Sequence, residues 1–103
     1  MNQRIVDHFK TSAQTALASA ELLADDILRA SRAILETLEN GGKLLLCGNG
    51  GSATDAMHFS AELLVRFQKE RKALPAIALV SDTATLTATG NDYDFDQIFS
   101  RQV

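Results

Sequence analysis

One cysteine, one proline and no tryptophan occur among the 103 residues of this chain, and each scarcity removes a class of protein. A lone thiol, Cys47, cannot close an internal disulfide. A secreted cystine scaffold is therefore excluded, and a reducing, cytoplasmic compartment is predicted. Proline is too rare for a collagenous or polyproline segment. No apolar run approaches the ~20 residues that cross a bilayer. The opening "MNQRIVDHFK" mixes charge with apolar residues and lacks the apolar core of a signal peptide. A net charge of −3 gives no electrostatic reason to expect nucleic acid or an anionic membrane as partner. Repeats and low-complexity tracts are also missing. What remains, 46% hydrophobic and 22% charged residues, is the composition of one ordinary folded domain with a modest core.

Hydrophobic spacing divides the chain. Ile5, Phe9, Ala13, Ala16, Ala20 and Leu23 recur every three or four residues, predicting an amphipathic helix over residues 2–23. Ala24-Asp25-Asp26 interrupts that face, and either aspartate can cap a second helix running to about Glu39. Gly41 and Gly42 then stop it, since glycine accepts the left-handed backbone that ends helices. The unalternated run Lys43–Cys47 predicts a strand buried on both faces, as in a parallel sheet. After "GNGG" a helix is expected over 52–67, capped by Ser52 or Thr54. A charged loop, "QKERKAL", leads to a second buried strand, Ala76–Val80. Strand, helix and strand in that order predict a right-handed βαβ unit. "SDTATLTATG" predicts a short capped helix closed by Gly90, and another helix is expected to begin near Asp94. Two parallel strands leave apolar open edges. The chain therefore reads as the first part of a larger α/β domain, with a helical arm over 1–40 and the start of the sandwich over 43–103.

The chemistry concentrates between Gly48 and Glu62. "GNGGSA" matches the loose dinucleotide-binding turn, but the acidic residue that should hold a ribose ~20 residues on is misplaced. Glu70 lies before the second strand, at its wrong end, and Asp82 comes too late. A broader reading survives. Small residues at 48–53 let backbone N–H groups meet a ligand at the positive end of a helix, and Asn49 and Ser52 add side-chain hydrogen bonds suited to sugar hydroxyls or phosphate oxygens. The alternative is a bare strand-to-helix turn, for which one glycine normally suffices. His58 and Glu62, at i and i+4, share a helical face and make a reasonable half of a zinc site, which takes about four ligands. An exposed polar pair or a satisfied core histidine has the same spacing. "GND", Gly90–Asp92, also falls near the carboxyl edge of the sheet, where Asn91 and Asp92 could receive sugar hydroxyls or simply end one helix and cap the next. Asp55, Arg66 and the "QKERK" run read as polar surface and solvated loop, and Cys47 as core.

Taken together, "GGKLLLCGNGGSATDAMHFSAEL", "LPAIAL" and "TATGNDYDFDQIFSRQV" strongly resemble the bacterial phosphoheptose isomerases (sedoheptulose 7-phosphate isomerases) of the SIS sugar-isomerase fold. The resemblance runs the length of the chain and is most specific in C-G-N-G-G-S and H-x-x-x-E. It implies a flavodoxin-like α/β parallel-sheet sandwich with a two-helix N-terminal arm, assembled as a homotetramer whose active sites are shared between subunits. It also implies substrate contacts from Asn49, Gly50, Gly51, Ser52, Asn91 and Asp92, with zinc on His58 and Glu62. Glu62 is then the catalytic base as well. The implied product, a heptose phosphate, enters lipopolysaccharide-core synthesis. A Ser/Thr-rich phosphate loop and a helix carrying Gln and His, which that family also uses, are expected beyond Val103, so these residues alone carry about half a site. Two other readings remain. Replication-initiator-associating adaptors share the fold and much of the turn but lack the glutamate, and sugar-phosphate-sensing SIS regulators bring a DNA-binding domain that has no counterpart here.

Overall fold

The computed structural model describes Met1–Val103, which divide into two compact units, Met1–Glu36 and Thr37–Val103. The first is built from one helix. α1 runs without a break from Asn2 to Glu39, where two helices were expected. Ala24-Asp25-Asp26 does not interrupt it, because an interior aspartate costs only a few tenths of a kcal/mol against average helix formers and the stretch holds no glycine or proline. Asp26 is further held by the Arg29 guanidinium one turn on. No residue of α1 is buried; Phe9, Leu17 and Leu22 are all widely exposed. The helix ends as its glycines predict. Gly41 takes φ 76°, its N–H donates to the Leu38 carbonyl, and the Gly42 N–H donates to the Thr37 carbonyl.

The second unit contains the predicted βαβ order. β1 (Leu44–Leu46) and β2 (Ala76–Ala78) pair in parallel, with Leu44 opposite Ala76 and Leu46 opposite Ala78. Both strands are shorter than the apolar runs that announce them, because each has only one neighbour and Cys47 and Val80 already belong to the turns beyond. α2 (Gly51–Leu64) joins them and packs on both strands. Its buried face is Ala56 and Ser60, small residues one turn apart that bring the helix close to the buried Ala76. α2 stops three residues short of the expected Phe67, and its N-cap is Gly50 with no side-chain cap, so neither Ser52 nor Thr54 has that role. The Thr54 hydroxyl instead donates to the Gly51 carbonyl.

After β2, α3 (Thr83–Asp92) passes straight through Gly90, which was expected to close it. Gly90 does not adopt the left-handed backbone of a helix stop, so it costs the helix only propensity, about 1 kcal/mol relative to alanine. In place of a further α-helix come two 3-10 turns, η1 (Phe95–Gln97) and η2 (Ser100–Gln102). The Asp94 carboxylate accepts the Asp96 N–H at 3.0 Å, which tightens this segment into i→i+3 bonds. The Gln102 amide ties it to the end of β2 by donating to the Leu79 carbonyl at 2.8 Å, over the buried Ile98. No helix is long and apolar enough to cross a membrane.

Asp82 caps α3. Its carboxylate accepts the Thr85 hydroxyl at 2.7 Å and the Thr85 N–H at 3.3 Å, and those bonds, the hydroxyl's first, hold its pKa below the ordinary 3.8. The folded-state pKa is depressed, so the associated stability is present above 3.8 and lost as the pH falls through the lower folded value. The unfolding midpoint of Asp82→Asn should therefore differ from wild type by a constant amount at neutral pH, and the gap should close below 3.8. A pH series of thermal melts on the two full-length proteins checks it.

Candidate functional site

β1 ends at Leu46, and the chain must reverse within a few residues to begin α2. Gly50 makes that possible with φ 56° and ψ −120°, a backbone conformation that residues with side chains rarely adopt. Within the turn the Ser52 N–H donates to the Asn49 carbonyl at 3.0 Å, and the Ala53 N–H to the Gly50 carbonyl at 3.1 Å. The N–H groups of Gly50 and Gly51 have no acceptor in the chain, so the start of α2 offers two free donors at the positive end of the helix.

The turn borders a cavity of about 570 Å³, at the carboxyl ends of both strands. Gly48, Asn49 and Gly50 form one wall; Val80, Gly90 and the aromatic rings of Phe95 and Phe99 line the others. This is the edge of an open parallel sheet where ligands characteristically sit. Gly51 and Ser52 belong to the first turn of α2, outside this lining. Asn91 and Asp92 close α3 beyond Gly90, where the Asn91 amide donates to the Asp92 carboxylate at 2.9 Å and both stay exposed.

His58 and Glu62 stand roughly two and three turns along α2, about 10 and 16 Å from Gly51 by helical rise. Their Nε2 and Oε1 atoms are 2.9 Å apart, with the histidine side chain 75% and the glutamate 36% exposed. They line a separate depression of about 340 Å³ with Asp55, Phe59 and Phe67. The chain therefore brings the imidazole and the carboxylate together, and brings Asn49 and Gly50 together, but does not place the two groups in one cavity. Two tetrahedral ligands at 2.0–2.1 Å from zinc are roughly 3.3 Å from each other. The pair would need to open by only a few tenths of an ångström to hold the ion. No third His, Cys, Asp or Glu joins them, so the rest of such a site must come from outside these residues.

Arg71, in the loop read as solvated, is the residue that the sequence conceals. Its guanidinium donates to the carbonyls of Glu62 at 2.7 Å, Leu63 at 2.9 Å and Lys72 at 3.1 Å, and is partly buried by doing so. The one available hint is indirect: α2 has no glycine near its end, so its last carbonyls need another partner.

Residues 8–103 match the family described as the SIS domain. The chain belongs to the SIS-domain family. A phosphoheptose isomerase from Thiobacillus denitrificans is 52% identical over 103 residues, all of this chain and 52% of that protein. The structure of phosphoheptose isomerase from Neisseria gonorrhoeae superimposes with a TM-score of 0.91 at 43% identity, covering 99% of this chain and 52% of that one. That of a phosphoheptose isomerase from Francisella tularensis gives 0.90 at 45% identity, again with 52% of its chain covered. This SIS-domain chain thus spans about half the length of the relatives it matches, and its α/β architecture with a parallel sheet is theirs. Their names do not favour the adaptor reading.

Proposed function

We propose that this SIS-domain chain carries the glycine turn and the His58–Glu62 pair of a phosphoheptose isomerase. The reaction converts sedoheptulose 7-phosphate to D-glycero-D-manno-heptose 7-phosphate in the cytoplasm, supplying heptose for lipopolysaccharide precursors. The observation that carries this reading is the 2.9 Å contact between imidazole and carboxylate on a helix that begins at a ligand-type turn.

A ketose phosphate becomes an aldose phosphate when a proton moves between C1 and C2 through an enediol. The step needs a base, a returning acid and stabilisation of the oxyanion. Glu62 is the base. Its carboxylate is half-open to solvent, and His58 fixes its direction. The free Gly50 and Gly51 N–H groups, with Asn49 and Ser52, bind the phosphate or hydroxyl end of the substrate, and Asn91 and Asp92 receive sugar hydroxyls. Zinc on His58 and Glu62 would polarise the substrate carbonyl when bound. The reading includes a homotetramer whose sites are shared between neighbouring copies, as the resemblance to phosphoheptose isomerases implies.

The test is turnover of sedoheptulose 7-phosphate by the full-length protein, with product identified as the aldose phosphate, alongside elemental analysis after dialysis. His58→Ala should lose most of the metal that wild type retains, and excess zinc should restore part of the activity. Equal metal content in the two proteins would remove zinc from the proposal, and absence of turnover by wild type would remove the isomerase.

A further inference from the structure

The loop after α2 holds a cation whose hydrogen bonds end on the backbone of the glutamate itself. α2 terminates at Leu64 with Val65 as C-cap at φ −96° and ψ −82°, without the left-handed glycine that usually receives the last carbonyls. The Ala61 carbonyl is taken by the Val65 N–H at 2.8 Å. The next two, of Glu62 and Leu63, are taken by opposite tips of the Arg71 fork, Nη2 at 2.7 Å and Nη1 at 2.9 Å. Leu63 gains a second bond from the Leu74 N–H at 3.0 Å. A guanidinium at a helix C-terminus also meets the negative end of the helix dipole. Only a planar fork reaches two successive carbonyls in this way.

We propose that Arg71 is a positioning residue for Glu62: by pinning the carbonyls of Glu62 and Leu63 it keeps the last turn of α2 wound and so holds the Glu62 carboxylate on the face it shares with His58. The inference rests on the assignment of Glu62 as the base. The i,i+4 contact exists only while the backbone at Glu62 is helical, and Glu62 is within three residues of the helix end, where unpinned turns fray. Arg71 and Glu62 also line one largely apolar cavity of about 330 Å³ with Phe59, Leu63 and Phe67.

The experiment compares wild type, Arg71→Ala, Arg71→Lys, Glu62→Gln and the Glu62→Gln/Arg71→Ala double variant, all full length. Two readouts are used: kcat and KM on sedoheptulose 7-phosphate, and hydrogen exchange at the amides of residues 62–67. Arg71→Ala should speed exchange there and lower kcat ~10–100-fold, the scale of a misplaced catalytic group, with KM nearly unchanged. Arg71→Lys, which keeps the charge without the fork, should fall between, and it carries the test if Arg71→Ala fails to fold. In the Glu62→Gln background, Arg71→Ala should cost nothing further. A multiplied loss in the double variant, a KM effect with intact kcat, or unchanged exchange would overturn the proposal. Lys69→Ala removes a cation from the same loop and should move neither readout. Near-normal turnover in Glu62→Gln alone would instead overturn the assignment of Glu62 as the base on which the proposal rests, and the exchange result would still decide whether Arg71 holds the turn.

Discussion

Glu62→Gln in the full-length protein is expected to lose about 10²–10⁴ of its turnover, the usual worth of one well-placed acid/base group, while its melting behaviour stays close to wild type. The amide has the carboxylate's shape, and its oxygen can still meet His58 Nε2, now 2.9 Å from Oε1. What it loses is basicity. Glu62 is not in the core: its side chain is 36% exposed, and the buried face of α2 is Ala56 and Ser60. A fold defect is therefore a poor explanation for lost activity, and KM should change far less than kcat. Glu70→Gln is the control, because Glu70 is 87% exposed and reaches only Arg66, at 3.1 Å on the solvent side. An exposed i,i+4 pair of that kind is worth little. Circular dichroism, a melt and steady-state kinetics on the three proteins suffice. Turnover by Glu62→Gln within a few-fold of wild type would end its role as base.

The His58–Glu62 pair was readable from spacing because a helix repeats by geometry: any i,i+4 residues inside one meet, and α2 was unmistakably helical at both positions. The two strands were equally plain in place and direction, but not in burial. Leu45 and Ile77 are exposed rather than buried on both faces, and Cys47, read as core, is exposed, because a two-stranded sheet leaves one face uncovered. Boundaries were harder because they depend on long-range partners. Where α2 ends is decided by Arg71 reaching back to Glu62 and Leu63 from a loop whose composition suggests only solvent. The start of α2 at Gly51 is decided by the backbone of Gly50, not by the hydroxyls that usually mark an N-cap. Asp82 was the reverse case: its cap is local, three residues from Thr85. Its position at the head of "SDTATLTATG" was sufficient. At Gly90 the residue type misled, since glycine permits a helix stop without imposing one. The cavity beside the turn was half legible. Gly48 to Gly50 announced it, but Phe95 and Phe99 reach it only because Asp94 folds their segment into 3-10 turns.

Gly48→Ala should be the most destabilising of the single-methyl changes in that turn. A Cβ on Gly48 would come within 2.6 Å of the Ser52 Cβ and 2.7 Å of both its carbonyl carbon and oxygen. Two of those three atoms are backbone, so no rotamer change can make room. Relief must come from moving the first turn of α2, and that turn is fixed by Ala56 and Ser60 packed further along the same helix. Overpacking of this kind costs about 1–3 kcal/mol, and backbone obstacles put the expected loss at the upper end. Gly51→Ala gives the contrast. Its Cβ would meet nothing within 4 Å, and Gly51 sits in α2 without a positive φ, so the substitution should be neutral or stabilise by about 0.4–1 kcal/mol through the unfolded chain. Gly50→Ala has the same open space but must hold φ 56°, so its defect is strain alone and should fall between the two. Denaturant unfolding of the three full-length variants orders them directly. Equal midpoints for Gly48→Ala and Gly51→Ala would mean that the turn is softer than its geometry indicates. With the order as expected, a raised KM in folded Gly48→Ala would trace to the displaced wall of the cavity, because Gly48, Asn49 and Gly50 line it together.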